Sequence, residues 1–258
     1  MATALLGYTG YVGSTLLSQR TFDDVYNSKN ITEIQGKQYE VLVCAAAPAV
    51  KWKANQNPEE DLRNLESLIN NLKKVDVEKF ILISTVDVYK NPQKVDEDTR
   101  IFPEEVTPYG RHRYYLEEFV IKNFKNHTII RLPGLFGNGL KKNFIFDLIH
   151  TNCLHLTHSK SEFQFYNMNS LWSDIEIAVK HNLSLVNFAV EPVKAAEIAQ
   201  AALNYDFNNE TDNAPVFYNM LSKHSELFQK NKTGNYFKNK SEILSEISSF
   251  IVKERSLY

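Results

Sequence analysis

Two spacings of apolar residues alternate along the chain. Short, nearly continuous hydrophobic runs occupy residues 2–6, 39–46 (YEVLVCAA), 80–84 (FILIS) and 127–132. Runs of that length read as strands buried on both faces, the pattern of a parallel sheet. Between them the period lengthens to that of a helix. Leu62, Leu65, Leu68, Ile69 and Leu72 follow Asn57 as a cap, Pro58 at the first helical position, and Glu59, Glu60 and Asp61 at the positive end of the dipole. Further helices are expected over 11–19 and 108–124, a second strand over 24–27, and a polar loop over 90–105. This alternation of strand and helix predicts an α/β fold with helices on both faces of a parallel sheet.

Beyond Gly134 the alternation loosens. Helices are expected over 143–150, 171–180 and 193–203, with strands over 163–167 and 183–189. Near the end, Asn239 and Glu242 form a capping-box pattern ahead of Ile243, Leu244, Ile247, Phe250 and Ile251. The expected organisation is a core over 1–136, joined again by 182–203, and a smaller region made of 137–181 and 204–258.

Composition narrows the function classes. With 43% hydrophobic and 23% charged residues the chain suits an ordinary globular protein. A net charge of -2, with Lys and Arg spread along the chain, gives no electrostatic case for nucleic acid or an acidic membrane as partner. No apolar stretch approaches the ~20 residues that span a bilayer. The first strand begins almost at Met1, leaving no room for a signal peptide, so the expected compartment is the cytoplasm. Cys44 and Cys153 are too few and too far apart for a disulfide framework, and neither they nor the seven histidines have metal-ligand spacing. No metal is expected.

Chemistry first appears at ALLGYTGYVGSTL, where Gly7, Gly10 and Gly13 are spaced G-x-x-G-x-x-G between a strand and a helix. The first glycine turns the chain, the second lets backbone approach a pyrophosphate, and the third lets the helix lie close on the strand. The helix start then offers N–H groups and a positive dipole end to the anion. That combination predicts a Rossmann-type, doubly wound NAD(P)-binding core. About twenty residues on, an acidic side chain would hold a ribose 2′-hydroxyl, but the sequence reads Tyr26-Asn27-Ser28-Lys29-Asn30. Asn27, Ser28 and Lys29 suit a 2′-phosphate better, which favours NADP over NAD while leaving NAD open.

FILISTVDVY (80–89) and TPYGRHR (107–113), together with the three glycines, the strand leading to CAAAP, Asn64 in RNLESLI, and IIRLPGLFG (129–137), resemble the active-site segments of extended short-chain dehydrogenases/reductases, the NAD-dependent epimerase/dehydratase group. Reductases of 4-keto-deoxysugar nucleotides look similar. The resemblance implies that Thr85 orients the substrate's carbonyl or alcohol and that Tyr109 is the acid/base. It also implies cofactor contacts at Thr9, Tyr11, Val12, Ala45, Ala46, Ala47 and Pro133, and a homodimer built on helices 58–74 and 109–124. The lysine that the family places four residues after the tyrosine is Arg113 here. An ordinary phenol is a poor base at neutral pH without a nearby cation, and the i, i+4 spacing puts Arg113 on the face of Tyr109. Arginine keeps the charge but spreads it over a planar fork.

Substrate in such sheets lies beyond the carboxyl ends of the strands. Lys51 and Trp52, Asp87, Asn143, Tyr166 and Lys223 are the expected contacts, with Gln164, Asn167 and His224 as further candidates. Arg131 lies inside a strand, where a paired structural role is the alternative. The leading expectation is an NAD(P)-dependent reductase or epimerase acting on a nucleotide-linked (deoxy)sugar. The alternative is a non-catalytic NAD(P)-binding sensor or scaffold. A dehydratase ranks lower, because Val86 takes the first place where an extra acidic group would stand.

Overall fold

The computed structural model describes residues 2–229 and 234–257. The chain divides into two compact units, each described separately. The first comprises Met1–Asn91, Thr99–Arg131 and Leu171–Val186, and the second Pro92–Asp98, Leu132–Ser170 and Asn187–Tyr258.

The first unit is built on the expected parallel sheet. Its strands are β1 (Thr3–Leu6), β2 (Asp24–Tyr26), β3 (Gln38–Cys44), β4 (Asp76–Thr85), His127–Leu132 and Leu185–Asn187. From the edge they run β2, β1, β3, β4, His127–Leu132, Leu185–Asn187. Leu6 lies opposite both Tyr26 and Cys44, so the first three strands end level with one another. After β1 the chain steps to one side for β2 and then to the other for β3. The crevice beyond the carboxyl ends of β1 and β3 is therefore the switch point where ligands bind in such sheets.

Alternation puts Ala4 and Leu6, Leu42 and Cys44, and Phe80 and Leu82 on one face. They pack in a single core with helices α3 (Pro58–Leu72) and α4 (Pro108–Asn123), through Leu65, Ile69, Leu72, Leu116 and Val120. Helix α1 (Tyr11–Gln19) follows the glycine turn, and a short helix α2 (Lys51–Gln56), which the apolar pattern did not signal, follows β3. Asn57 precedes α3 as expected but caps it only through its backbone carbonyl, which accepts from Asp61 N–H at 3.2 Å; its side chain makes no cap bond.

In the second unit the helices Phe144–His150, Ala195–Leu203 and Lys240–Arg255 fall where the periodicity put them, and Asn239 and Glu242 form the expected capping box. The stretch expected as polar loop contains the short strand Gln93–Val95, paired with Asn219–Met220. The unit boundaries differ from the expected ones: 171–181 lies in the sheet-bearing unit, whereas 92–98, 132–136 and 187–203 lie in the other.

Candidate active site

At the end of β1 the backbone turns through Gly7, with φ +84°, a region L-residues disfavour. Gly10 N–H donates to the Gly7 carbonyl at 3.0 Å, and Gly10 caps α1. A Cβ on Gly13 would overlap the Gly7 carbonyl and the Tyr8 backbone, so the helix start approaches the turn as closely as only glycine permits. Helix α1 thus begins at the turn, its positive dipole end facing it, and no acidic residue stands in its first turn. Gly7 in turn leaves no room for a Cβ against the Ala45 carbonyl and Ala46. Thr9 is exposed and Ala45, Ala46 and Ala47 are half-buried, bordering this cradle on the two sides of the switch point. A turn whose glycines carry no side chain, at a positive helix end, fits the diphosphate of a dinucleotide.

At the end of β2, Asn27 Nδ2 donates to the Tyr8 hydroxyl at 3.1 Å, and its Oδ1 accepts from Lys29 N–H at 2.9 Å. Ser28 and Lys29 are exposed. The nearest carboxylate on that strand, Asp24, is taken up by Lys37, Tyr26 and Tyr39, whose oxygens and nitrogen lie 2.9, 3.1 and 2.5 Å from Asp24 Oδ2.

The catalytic candidates come together beyond β4. Thr85 Oγ1 accepts from Asp87 N–H at 3.2 Å, fixing the hydroxyl at the strand end. Tyr109 opens α4, its N–H donating to Asn55 Oδ1 of α2 at 2.9 Å. A Cβ on Gly110 would collide with the Asp87 carbonyl, so α4 starts hard against the turn that carries Thr85 and Asp87. Lys51 of α2 pairs with Asp87, Nζ to Oδ1 2.6 Å. Burial pushes the Tyr109 phenol above its ordinary pKa; Arg113 opposes this, Asp87 adds to it, and Lys51 opposes it. Trp52, beside Lys51, is 65% exposed and free to meet a ligand.

Arg113 is the best-anchored member. Its guanidinium carbon lies 4.4 Å from the centre of the Tyr109 ring. Nη1 and Nη2 donate to Asp61 Oδ2 and Oδ1 of α3 at 2.7 and 2.9 Å, and Nη2 also reaches the Pro48 carbonyl. Nε is buried without a hydrogen-bond partner. A buried, unmatched donor beside the phenol suits an acceptor on a ligand, such as a ribose hydroxyl. The cradle and this orphan donor both fit a nicotinamide dinucleotide. Asp61, His112 and Asn55 were not anticipated as members of the site.

Arg131 is structural. Its Nε and Nη2 donate to Glu117 Oε1 and Oε2 at 3.0 and 2.6 Å, and Nη1 to the Tyr89 hydroxyl at 2.7 Å, with Glu117 fully buried. Ser84 Oγ completes the cluster by donating to Glu117.

The remaining expected contacts lie in the second unit. Asn143 spends its side chain on helix Phe144–His150, accepting from Ile145 and Phe146 N–H at 3.0 and 3.2 Å and donating to the Leu135 carbonyl at 2.8 Å. Tyr166 is 2% exposed and packs on Phe188, a core position, because its strand turns that face inward. Gln164 is likewise consumed inside the unit, between Val190 and Met220. Lys223 pairs with Asp98 at 2.5 Å. Pro133 is buried. Among the described residues no group of His, Cys, Asp and Glu gathers as a metal site, and no helix is long and apolar enough to cross a membrane.

No curated protein matches the chain in sequence. Solved structures do match its fold. A dTDP-4-dehydrorhamnose reductase from Yersinia enterocolitica shares 15% identity over 98% of this chain and 99% of its own, with a TM-score of 0.73. RMD from Pseudomonas aeruginosa, complexed with NADPH, shares 13% over the whole of both chains, with a TM-score of 0.73. A UDP-N-acetylglucosamine 4-epimerase from Methanobrevibacter ruminantium, in complex with UDP-N-acetylmuramic acid, shares 14% over 100% and 99%, with a TM-score of 0.72. The pattern of one family covers residues 23–165, more than half of the chain. By that match the chain belongs to the NAD dependent epimerase/dehydratase family of enzymes.

Proposed function

We propose that the protein is a reductase or epimerase of a nucleotide-linked (deoxy)sugar, with Tyr109 carrying the proton. The observation that supports this most directly is the buried Tyr109 with the Arg113 guanidinium 4.4 Å from its ring. In this reading the dinucleotide's diphosphate rests on the turn Gly7–Gly13, and Arg113 Nε donates to its nicotinamide ribose. Bound there, the nicotinamide supplies or accepts hydride. Thr85 donates to the sugar's reacting oxygen and holds it toward Tyr109, whose hydroxyl gives or takes the proton as the carbon is reduced or oxidised. Lys51 and Asp87 border the sugar, and exposed Trp52 offers a face for stacking.

NADP is the proposed cofactor, since Ser28 and Lys29 are exposed at the end of β2 and Asp24 is already engaged. A homodimer through α3 and α4 accords with exposed Tyr115 and Ile121 on α4. The test follows NADPH consumption with a panel of 4-keto sugar nucleotides, and, with NADP+ present, NADPH formation and interconversion of sugar epimers by NMR with a panel of 4-hydroxy ones. Turnover that disappears in Tyr109→Phe is expected. Turnover that survives in that variant removes Tyr109 from the mechanism, and tight NADPH binding without turnover on any member of the panel removes the sugar-nucleotide reading.

A further inference from the structure

Arginine in place of lysine brings a requirement that lysine does not. A guanidinium presents five donors in a rigid plane, and a buried plane must be oriented by partners. Here the partner is Asp61, one turn before Leu65 on the buried stripe of α3, 5% exposed. It holds both terminal nitrogens of Arg113, at 2.7 and 2.9 Å. His112 Nδ1 lies 2.8 Å from the same Oδ2. An ionised carboxylate only accepts, so the imidazole carries its proton on Nδ1 and donates. Oδ2 is therefore gripped from two sides, and Asp61 cannot swing without breaking both bonds. The one nitrogen left without a partner is Nε.

We propose that Asp61 is a positioning residue for Tyr109, acting through Arg113: its carboxylate fixes the guanidinium plane against the phenol ring and offsets the cation's charge there. This rests on the reading of Tyr109 as the acid/base. The groups that face Tyr109 are Arg113 on its own helix, Asp87 from the turn after β4, and Lys51 from α2. Asp61 from α3 faces Arg113, and His112 from α4 faces Asp61. In a dry site, a guanidinium paired with a carboxylate favours phenolate less than a bare one. Asp61 thus moderates the cation's pull on a phenol that burial already holds above its ordinary pKa, while Arg113 keeps it aligned. The arginine acts as a built-in, half-neutralised version of the usual cation.

The test is a pH titration of Tyr109 by NMR, with carbon-13 at the tyrosine ring Cζ and the resonance assigned through Tyr109→Phe. This needs no substrate, so its outcome is separate from the turnover assay that tests the acid/base reading. In Asp61→Asn, which keeps the shape and loses the charge, the Tyr109 titration is expected to move about one unit toward acid. Asp61→Glu is expected to bring it back. An Asp61→Asn protein that folds and titrates as wild type overturns the proposal. If that variant does not fold, Arg113→Gln and the double variant Asp61→Asn/Arg113→Gln decide the matter. The single change is expected to raise the titration, and the double change to return it close to wild type. A double variant that titrates like the single one overturns the proposal equally.

Discussion

The Lys51 ammonium lies 2.6 Å from the Asp87 carboxylate, and the two set opposite charges beside the Tyr109 phenol. Lys51→Met removes a cation and leaves Asp87 uncovered, both of which favour the neutral phenol. Its pH–rate profile is expected to move alkaline by roughly one unit. Asp87→Asn is expected to move it the other way. Profiles of kcat/KM that coincide in the two variants would show that neither charge reaches the acid/base.

Gly13→Ala places a methyl group on the Gly7 carbonyl. Backbone cannot yield as a side chain tip does, so the turn must open. A stability loss of about 1–3 kcal/mol is expected from the overpacking. Calorimetry should also find NADPH binding weakened well beyond that of Gly36→Ala, a change at a glycine with open space around it and remote from the cradle. Equal binding in the two variants would remove the glycine turn from the cofactor site.

Lys29→Glu reverses the exposed charge at the end of β2. If it faces a 2′-phosphate, NADPH affinity should fall about tenfold or more while NADH affinity changes little. A parallel loss for both dinucleotides would instead place Lys29 away from that phosphate.

Glu117 and Arg131 form a buried pair that ties α4 to the sheet. Glu117→Gln leaves a guanidinium without its counter-charge in an apolar core, at a cost of about 3–5 kcal/mol in urea unfolding. Replacing both, as Glu117→Gln with Arg131→Met, should recover part of that loss. A double variant no more stable than the single one would show that the pair's charge balance is not what matters.

Asp61 also links folding to acidity. Burial works to raise its pKa, but hydrogen bonds and charge from Arg113 and His112 win and hold it below the ordinary 3.8. A depressed carboxylate adds stability above its unfolded pKa and loses it as pH falls through the lower folded value. Stability should thus decline as pH drops below about 4. In Asp61→Asn that part of the decline should flatten, read from denaturation midpoints at a series of acidic pH values.

The sheet was legible because buried parallel strands are continuous apolar runs, and the tight turn after β1 because three glycines stood between a strand and a helix. Helix α2 was hidden: six residues, KWKANQ, carry too short a pattern to reveal a period. Asp61 was visible but misread. As a residue of the first turn of α3 it suited the dipole, yet it stands four before Leu65, on the buried stripe. A charge on an apolar stripe demands a buried partner, and the basic pair His112-Arg113 was available. Asn143 and Tyr166 were placed by analogy of position alone, and the first proved to be a helix cap and the second a core aromatic.

The polypeptide passes back and forth between its two units, each assembled from three separated stretches. No single cut can therefore release either one whole. A fragment ending at residue 136 would lack Leu185–Asn187, the strand that covers the flank of His127–Leu132. That flank would then present unpaired backbone groups to any neighbouring strand, an invitation to aggregate. Limited proteolysis should accordingly yield either intact protein or small peptides, with no stable half.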